Sequence, residues 1–299
     1  MTTDSVSLFI NPAAGRGRTG RRLPRIRELL NEAGVPYTLF TSRAVGDLEA
    51  QVRKQVAAGA TKIIVTGGDG SIHEAVNGIM SANADAALGV IPSGTGNDFA
   101  KASMTPLDWE TATKLLANRI VANATPRTID IGRVNDRYFA NGAGIGFDAK
   151  VTAVAQAFRW PIGDLIYLVA IVRAMLDGIA TPNLTITGPD ELWNGPVTLA
   201  NISNGPWIGG MFYIAPMADI DDDQLELIIA APVTRTRLLG LLPKLMQGQH
   251  LNEPEIHHAS VRKLHISAKA PIPSHLDGEV QPLQSEFDIE VLPGALKLL

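Results

Sequence analysis

The first half of the chain alternates short apolar runs with segments of helical period. Val6–Ile10 is a β-rich run that stops at the turn signal Asn11-Pro12. Leu23, Ile26, Leu29, Leu30 and Ala33 then recur at helical spacing, and Gly34 suits a C-terminal cap. Tyr37–Phe40 reads as a second strand, and Leu48, Val52 and Val56 mark a second helix closed by Gly59. Thr61–Thr66 is apolar on both faces, as a buried parallel strand should be. A helix starts near Ser71, and Ala87–Ile91 is a fourth strand. This alternation predicts a three-layer α/β domain, a parallel sheet covered on both sides.

From Thr128 the pattern changes. Thr128–Val134, a two-residue Asn135-Asp136 turn and Arg137–Ala140 predict a β-hairpin. Further strand-like runs are Leu184–Thr187, Val197–Ile202, Leu225–Ala230, Val261–Ser267 and Phe287–Leu292. Helical insertions are expected at Trp160–Ile179 and Arg235–Gln247. The fold class is therefore α/β plus all-β, with the second half an antiparallel β domain. The boundary near Pro126 gives domains of 1–127 and 128–293, and the apolar tail 294–299 is expected to complete the first.

Length and composition narrow the partners. A chain of 299 residues is long for one core, which favours two domains. A net charge of -4 and a pI near 5.9 argue against a nucleic-acid partner. There is no cysteine, which excludes disulfides and thiolate-bound metals. The amino terminus lacks the basic region of a signal peptide. No apolar stretch approaches the roughly 20 residues of a membrane span; the longest, Leu165–Val172, ends at Arg173. The expected location is cytoplasmic, with peripheral attachment at the inner face of a membrane as a variant.

Three glycine-rich turns follow three of the apolar strands, where open α/β sheets bind ligands. The first, Asn11–Gly20, holds G-x-G-x-x-G at Gly15, Gly17 and Gly20. A dinucleotide fingerprint also needs an acid near the end of the next strand, and Tyr37–Arg43 has none. Arginines at 16, 18, 21 and 22 oppose the helix dipole, so a local cause is wanted; phosphate contact by Arg16 or Arg18 is one, and a solvated basic helix start is the other. The second turn, Gly67-Gly68-Asp69-Gly70-Ser71, brings backbone amides to a helix start, an anion site. Asp69 would repel a phosphate there unless a cation stands between, which points to Mg²⁺ over a simple N-cap. The third, Ser93-Gly94-Thr95-Gly96-Asn97-Asp98, offers neutral hydrogen bonds from Thr95 and Asn97. Asp98 is read equally as a helix cap and as a catalytic acid.

Asn11-Pro12 with Gly15, then GGDGSIHEAVNGI, then IPSGTGNDFAKA, resembles in order and spacing the diacylglycerol kinase catalytic-domain family, and within it the bacterial YegS-like lipid kinase branch. GGDG alone is shared with NAD kinases and phosphofructokinases. The resemblance implies an NAD kinase/diacylglycerol kinase-like nucleotide-binding domain and a C-terminal β-sandwich. It implies ATP-dependent, Mg²⁺-requiring transfer of the γ-phosphate to a lipid hydroxyl, of diacylglycerol or a related glycerolipid, at a membrane surface or micelle. The ATP contacts carried over are Asn11, Arg16, Thr41 (with Thr38 as the other choice), Gly67, Gly68, Asp69, Gly70, Ser71, Ile72, His73, Gly94, Thr95 and Asn97. Two positions depart from the family: Ser71 where threonine is usual, and His73 where asparagine is usual.

In the second half, His275-Leu276-Asp277-Gly278-Glu279 reads by itself as a hairpin turn. The resemblance makes Glu279 the base for the acceptor hydroxyl, with Asp277 in support and Asp69 completing the catalytic set. The acidic run Asp219–Asp223 reads alone as a solvated loop. The resemblance makes it a Mg²⁺ site, with the Asp223 carboxylate and the Ile220 and Leu225 carbonyls as ligands; Gln224 stands where the family has glycine. The histidines lack zinc spacing, and His257-His258 is expected in a surface loop. The apolar helices Leu165–Met175 and Leu238–Met246 either cover a sheet or line an acceptor groove at the bilayer. Two rival functions are a soluble-acceptor kinase of the NAD kinase type and a non-catalytic nucleotide-binding regulator.

Overall fold

The computed structural model describes residues 6–158, 165–189 and 191–299. The chain divides into two compact units: Met1–Asp130 with Gly294–Leu299, and Ile131–Pro293.

In the first unit, β1 (Val6–Ile10), α1 (Arg18–Glu32), β2 (Tyr37–Thr41), α2 (Asp47–Ala57), β3 (Lys62–Gly67), α3 (Asp69–Ala82) and β4 (Ala87–Pro92) alternate, followed by α4 (Asp98–Ala102) and α5 (Trp109–Val121). The strands run parallel in the order β2-β1-β3-β4. β1 and β4 are buried at every position, which is why they carry no polar alternation. Ile26 and Leu30 of α1 and Leu116 of α5 share one core with Val6, Leu8, Ile64 and Ile91. Near the end of the chain, Lys297 and Leu298 pair in parallel with Ala87 and Leu88, so the free edge of β4 is occupied.

The second unit is a β-sandwich. In chain order come β5 (Arg127–Val134, begun in the first unit), β6 (Arg137–Phe139), β7 (Gly142–Gly146), α6 (Phe147–Ala157), α7 (Leu165–Leu176), β8 (Asn183–Thr187), β9 (Glu191–Pro196) and β10 (Leu199–Ser203). A small ribbon of β11 (Trp207–Ile208) and β12 (Phe212–Tyr213) precedes β13 (Leu225–Ala230), α8 (Arg235–Met246) and β14 (Ile256–Val261). Then follow β15 (Lys263–Ile272), β16 (Ser274–Leu276), β17 (Glu279–Val280) and β18 (Gln284–Leu298), whose last residues belong to the first unit. One sheet has the order β14-β13-β10-β7-β16-β17, every pair antiparallel. The other joins β18, β15, β8 and β9, with the β5–β6 hairpin. Ile145, Ile202 and Leu227 of the first sheet meet Ile186, Ile266 and Phe287 of the second in one core.

Several expectations need correction. His257 and His258 lie in β14, exposed but strand-paired, and not in a loop. The run Val261–Ser267 is interrupted at Arg262, ending one strand and opening the next. The helix expected from Trp160 is α7; residues 159–164 of that span lie outside the described residues. β7 and α6 were not expected at all.

Leu296 is 1% exposed in the first unit although it comes near the end of the chain. Leu296→Ala is expected to lower stability by about 2–5 kcal/mol, read as a lower urea midpoint of the transition that reports the first unit.

Candidate active site

Three turns converge at the carboxyl ends of β1, β3 and β4. The Ser93 amide donates to the Gly67 carbonyl at 2.8 Å, and the Asn11 amide to the Thr66 carbonyl at 3.4 Å. The second and third turns touch backbone to backbone. A Cβ built on Gly94 would stand 2.5 Å from the Gly68 Cα, and one on Gly68 would stand 2.9 Å from the Gly94 Cα. No residue but glycine fits either place, and glycine backbone of this kind lets amides approach phosphate oxygens closely.

Asp69 opens α3, while the N-cap position itself is Gly68 and receives no side-chain bond. The Asp69 carboxylate instead accepts from the Phe99 amide at 3.2 Å, in the first turn of α4. It therefore fastens the second turn to the third. Asp98, buried, pairs with Lys101 at 3.1 Å along α4.

The first turn is tied in by arginines, and this resolves why they sit at a helix start. Arg18 donates to the Gly15 carbonyl at 3.0 Å and to the Gly94 carbonyl at 3.1 Å. Arg22 donates to Ser93 Oγ at 2.9 Å and lies 5.2 Å above the Trp109 ring. Burial, and then the like charge of Arg18, hold the Arg22 guanidinium below its ordinary pKa. Arg16 is exposed at φ +59°, so of the two arginines weighed from the sequence it is Arg18 that is spent on carbonyls. Arg22 was not singled out, because its reach to the third turn depends on how α1 packs.

Two other expected contacts also bond within their own loops. Asn97 Oδ1 accepts from the Gly94 amide at 2.9 Å, and Asn11 Oδ1 accepts from the Ala13 amide at 3.1 Å. Ile72 and His73 are 1% and 3% exposed, and His73 lies beside Asn77 within the unit, so its imidazole is a core group. Thr95 stands exposed at the tip of the third turn. Thr41 ends the edge strand β2 and opens on a groove of about 520 Å³ with Arg43, Asp47 and Gln51. The Thr66 hydroxyl, one residue before Gly67, is buried without a hydrogen-bond partner.

In the second unit, Asp277 and Gly278 form the two-residue turn between β16 and β17, both at positive φ. The Asp277 carboxylate accepts three backbone amides: Ala140 at 3.0 Å, Asn141 at 2.8 Å and Gly142 at 3.0 Å. It fixes the turn against the β6–β7 connection. Glu279 is half-buried, with Gln156 Nε2 at 3.4 Å from its Oε2. The unit also holds an apolar cavity of about 70 Å³, lined by Val151, Tyr167, Ile171, Phe212 and Leu242 with Asp148 and Thr152 as polar members.

For a cation, the donors at both expected places are oxygens, which suits Mg²⁺. Asp223 sits at φ +62°, its Oδ2 3.4 Å from Arg262 Nη2. Among the described residues no three His, Cys, Asp or Glu side chains gather as for a transition metal.

A family profile for the diacylglycerol kinase catalytic domain matches residues 5–134. A profile for the YegS C-terminal NAD kinase beta sandwich-like domain matches residues 142–299. A diacylglycerol kinase of Mycobacterium tuberculosis (strain ATCC 25618 / H37Rv) is 31% identical over 98% of this chain and 94% of its own. A diacylglycerol kinase of Bacillus subtilis (strain 168) is 28% identical over 91% and 88%. A solved structure from Bacillus anthracis str. Sterne superposes with a TM-score of 0.80 at 25% identity, covering 100% of this chain and 97% of that one.

Asp69→Ala, which removes the acceptor for the Phe99 amide, is expected to cost about 0.5–2 kcal/mol. Asp69→Asn keeps an acceptor oxygen there, so its denaturation midpoint should lie close to that of the unsubstituted protein.

Proposed function

The chain belongs to the diacylglycerol kinase catalytic-domain family, and from that premise we propose that it is an ATP-dependent kinase phosphorylating a lipid hydroxyl. The observation that carries the reading is the bare backbone contact of Gly68 with Gly94, with Asp69 bound across it to Phe99.

In this reading the triphosphate lies over Gly67–Ser71, its charge met by the positive end of α3. Asp69 would hold a Mg²⁺ ion, directly or through water, and the ion would offset charge on the phosphates. Asp223, with the Ile220 and Leu225 carbonyls, would hold another. Arg18 and Arg22 keep the three turns together rather than contacting phosphate. Asn11, Arg16, Thr41, Thr95 and Asn97 are the candidates for the nucleotide's other contacts.

Glu279 accepts the proton of the acceptor hydroxyl as its oxygen bonds to the γ-phosphorus and the bond to the ADP oxygen breaks. Asp277, committed to three backbone amides, fixes the turn from which Glu279 projects. The apolar cavity beside α6 and α7 supports an acyl-bearing acceptor. So does the outward side of α7, where Leu165, Val172 and Leu176 are 54%, 45% and 64% exposed. Among the described residues no helix is long and apolar enough to cross a membrane, so the lipid is met at a surface.

The test is incubation with γ-labelled ATP, Mg²⁺ and total bacterial lipid in micelles, followed by separation of the lipids. A labelled lipid product is expected. Glu279→Gln should lower its rate about 10²–10⁴-fold, and Asp69→Asn by at least about 10²-fold, both without loss of stability. Wild-type label appearing only in a soluble product, or normal turnover in both variants, overturns the reading.

A further inference from the structure

His275 is 1% exposed at the centre of β16, two residues before the turn that carries Glu279. Its two ring nitrogens have different neighbours. The Gly278 amide donates to Nδ1 at 3.3 Å. Nε2 lies 3.2 Å from Asp148 Oδ2, close enough for electrostatic attraction but not aligned as a hydrogen bond. Asp148 Oδ2 also accepts from Asn201 Nδ2 at 3.3 Å. An Nδ1 that accepts an amide carries no proton, so the ring proton belongs on Nε2, towards the carboxylate.

The crowding beneath this pair shows that the approach is built into the fold. Gly144 of β7 pairs with both Asn201 and His275. A Cβ there would stand 2.2 Å from Asp148 Oδ2 and 2.3 Å from His275 Nε2. The glycine of β7 leaves the space in which imidazole and carboxylate meet.

The same peptide of Gly278 is held from its other side. Gln156, in the last turn of α6, donates to the Gly278 carbonyl at 2.8 Å and reaches Glu279 Oε2 at 3.4 Å. The N–H of Gly278 is thus engaged by His275 and its C=O by Gln156, immediately before Glu279. With both φ angles of the turn positive, a rotation of this peptide would re-aim the next side chain.

We propose that His275 and Gln156 are positioning residues that clamp the Gly278 peptide and so fix the Glu279 carboxylate for proton acceptance, with Asp148 and Asn201 holding the imidazole. The inference rests on the lipid kinase reading and adds to it the residues that aim its base. His275 touches no reacting atom and acts only through Glu279, whereas Gln156 also reaches the Glu279 carboxylate directly.

The experiment uses the full chain with γ-labelled ATP and micelles of total bacterial lipid, and measures apparent kcat and the KM for ATP. His275→Gln removes the acceptor at the Nδ1 position. It is expected to lower kcat about 10–100-fold, as misaiming by a fraction of a side chain does, with the KM for ATP within about twofold. Gln156→Ala should do the same. His275→Asn places an amide oxygen near Nδ1 and should recover most of the turnover lost in His275→Gln. Equal losses in His275→Asn and His275→Gln, or unchanged kcat in both His275→Gln and Gln156→Ala, overturn the clamp. If Glu279→Gln itself keeps normal turnover, the base assignment has failed, not merely the clamp. A measurement on the unsubstituted protein guards against misfolded variants: ¹⁵N-histidine NMR should show His275 as the Nε2–H tautomer. An Nδ1–H tautomer leaves the Gly278 amide no acceptor and overturns the proposal.

Discussion

Two stretches of backbone pressed together without side chains between them set the geometry of the first unit. Where Gly68 meets Gly94, even a methyl group would drive the turns apart. Everything nearby serves to hold that contact closed. Ser93 bonds back to Gly67, Arg18 and Arg22 reach over from the first turn, and Asp69 takes the Phe99 amide. Buried parallel strands deliver the turns to one edge, and their rigidity allows such a contact to persist without packing of its own.

The aspartates of the two units follow a common logic. Asp69 and Asp277 each accept from backbone amides of a distant segment, Phe99 in the first case and Ala140, Asn141 and Gly142 in the second. Each is an architectural clasp as well as a charge near the proposed chemistry. Hydrogen bonds of amides to carboxylates are among the stronger kind, so each clasp orders a loop that has little apolar surface to bury. The same economy appears at Gly278, where imidazole and carboxamide share one peptide.

What could be read from the chain was what is local. The alternation of strands and helices in the first half, the three turns and the β5–β6 hairpin each follow from residues within a few positions of one another, and they stand where the pattern put them. What escaped was set by distant partners. β7 reads Gly142-Ala143-Gly144-Ile145-Gly146, a poor strand by propensity, and it exists because its neighbours β10 and β16 pair with it on both sides. α6 is long in small residues and has no capping side chain, so only its packing on the sheet reveals it. Within the site, Asn97 and Asn11 each spend a side-chain oxygen on their own turns, and His73 is core. Spacing places such residues near a site but does not say which way they face.

The parallel pairing of Lys297 and Leu298 with β4 has a consequence in time. The sheet of the first unit lacks its last member until the whole second unit has been translated. On the ribosome, the amino-terminal unit therefore waits with the β4 edge open, while β7 to β17 of the sandwich can already pair. Closing that sheet joins residues from opposite ends of the chain, a contact of very high sequence separation and a slow step by its entropy. The order of maturation would then invert the order of synthesis, with the unit made first completed last.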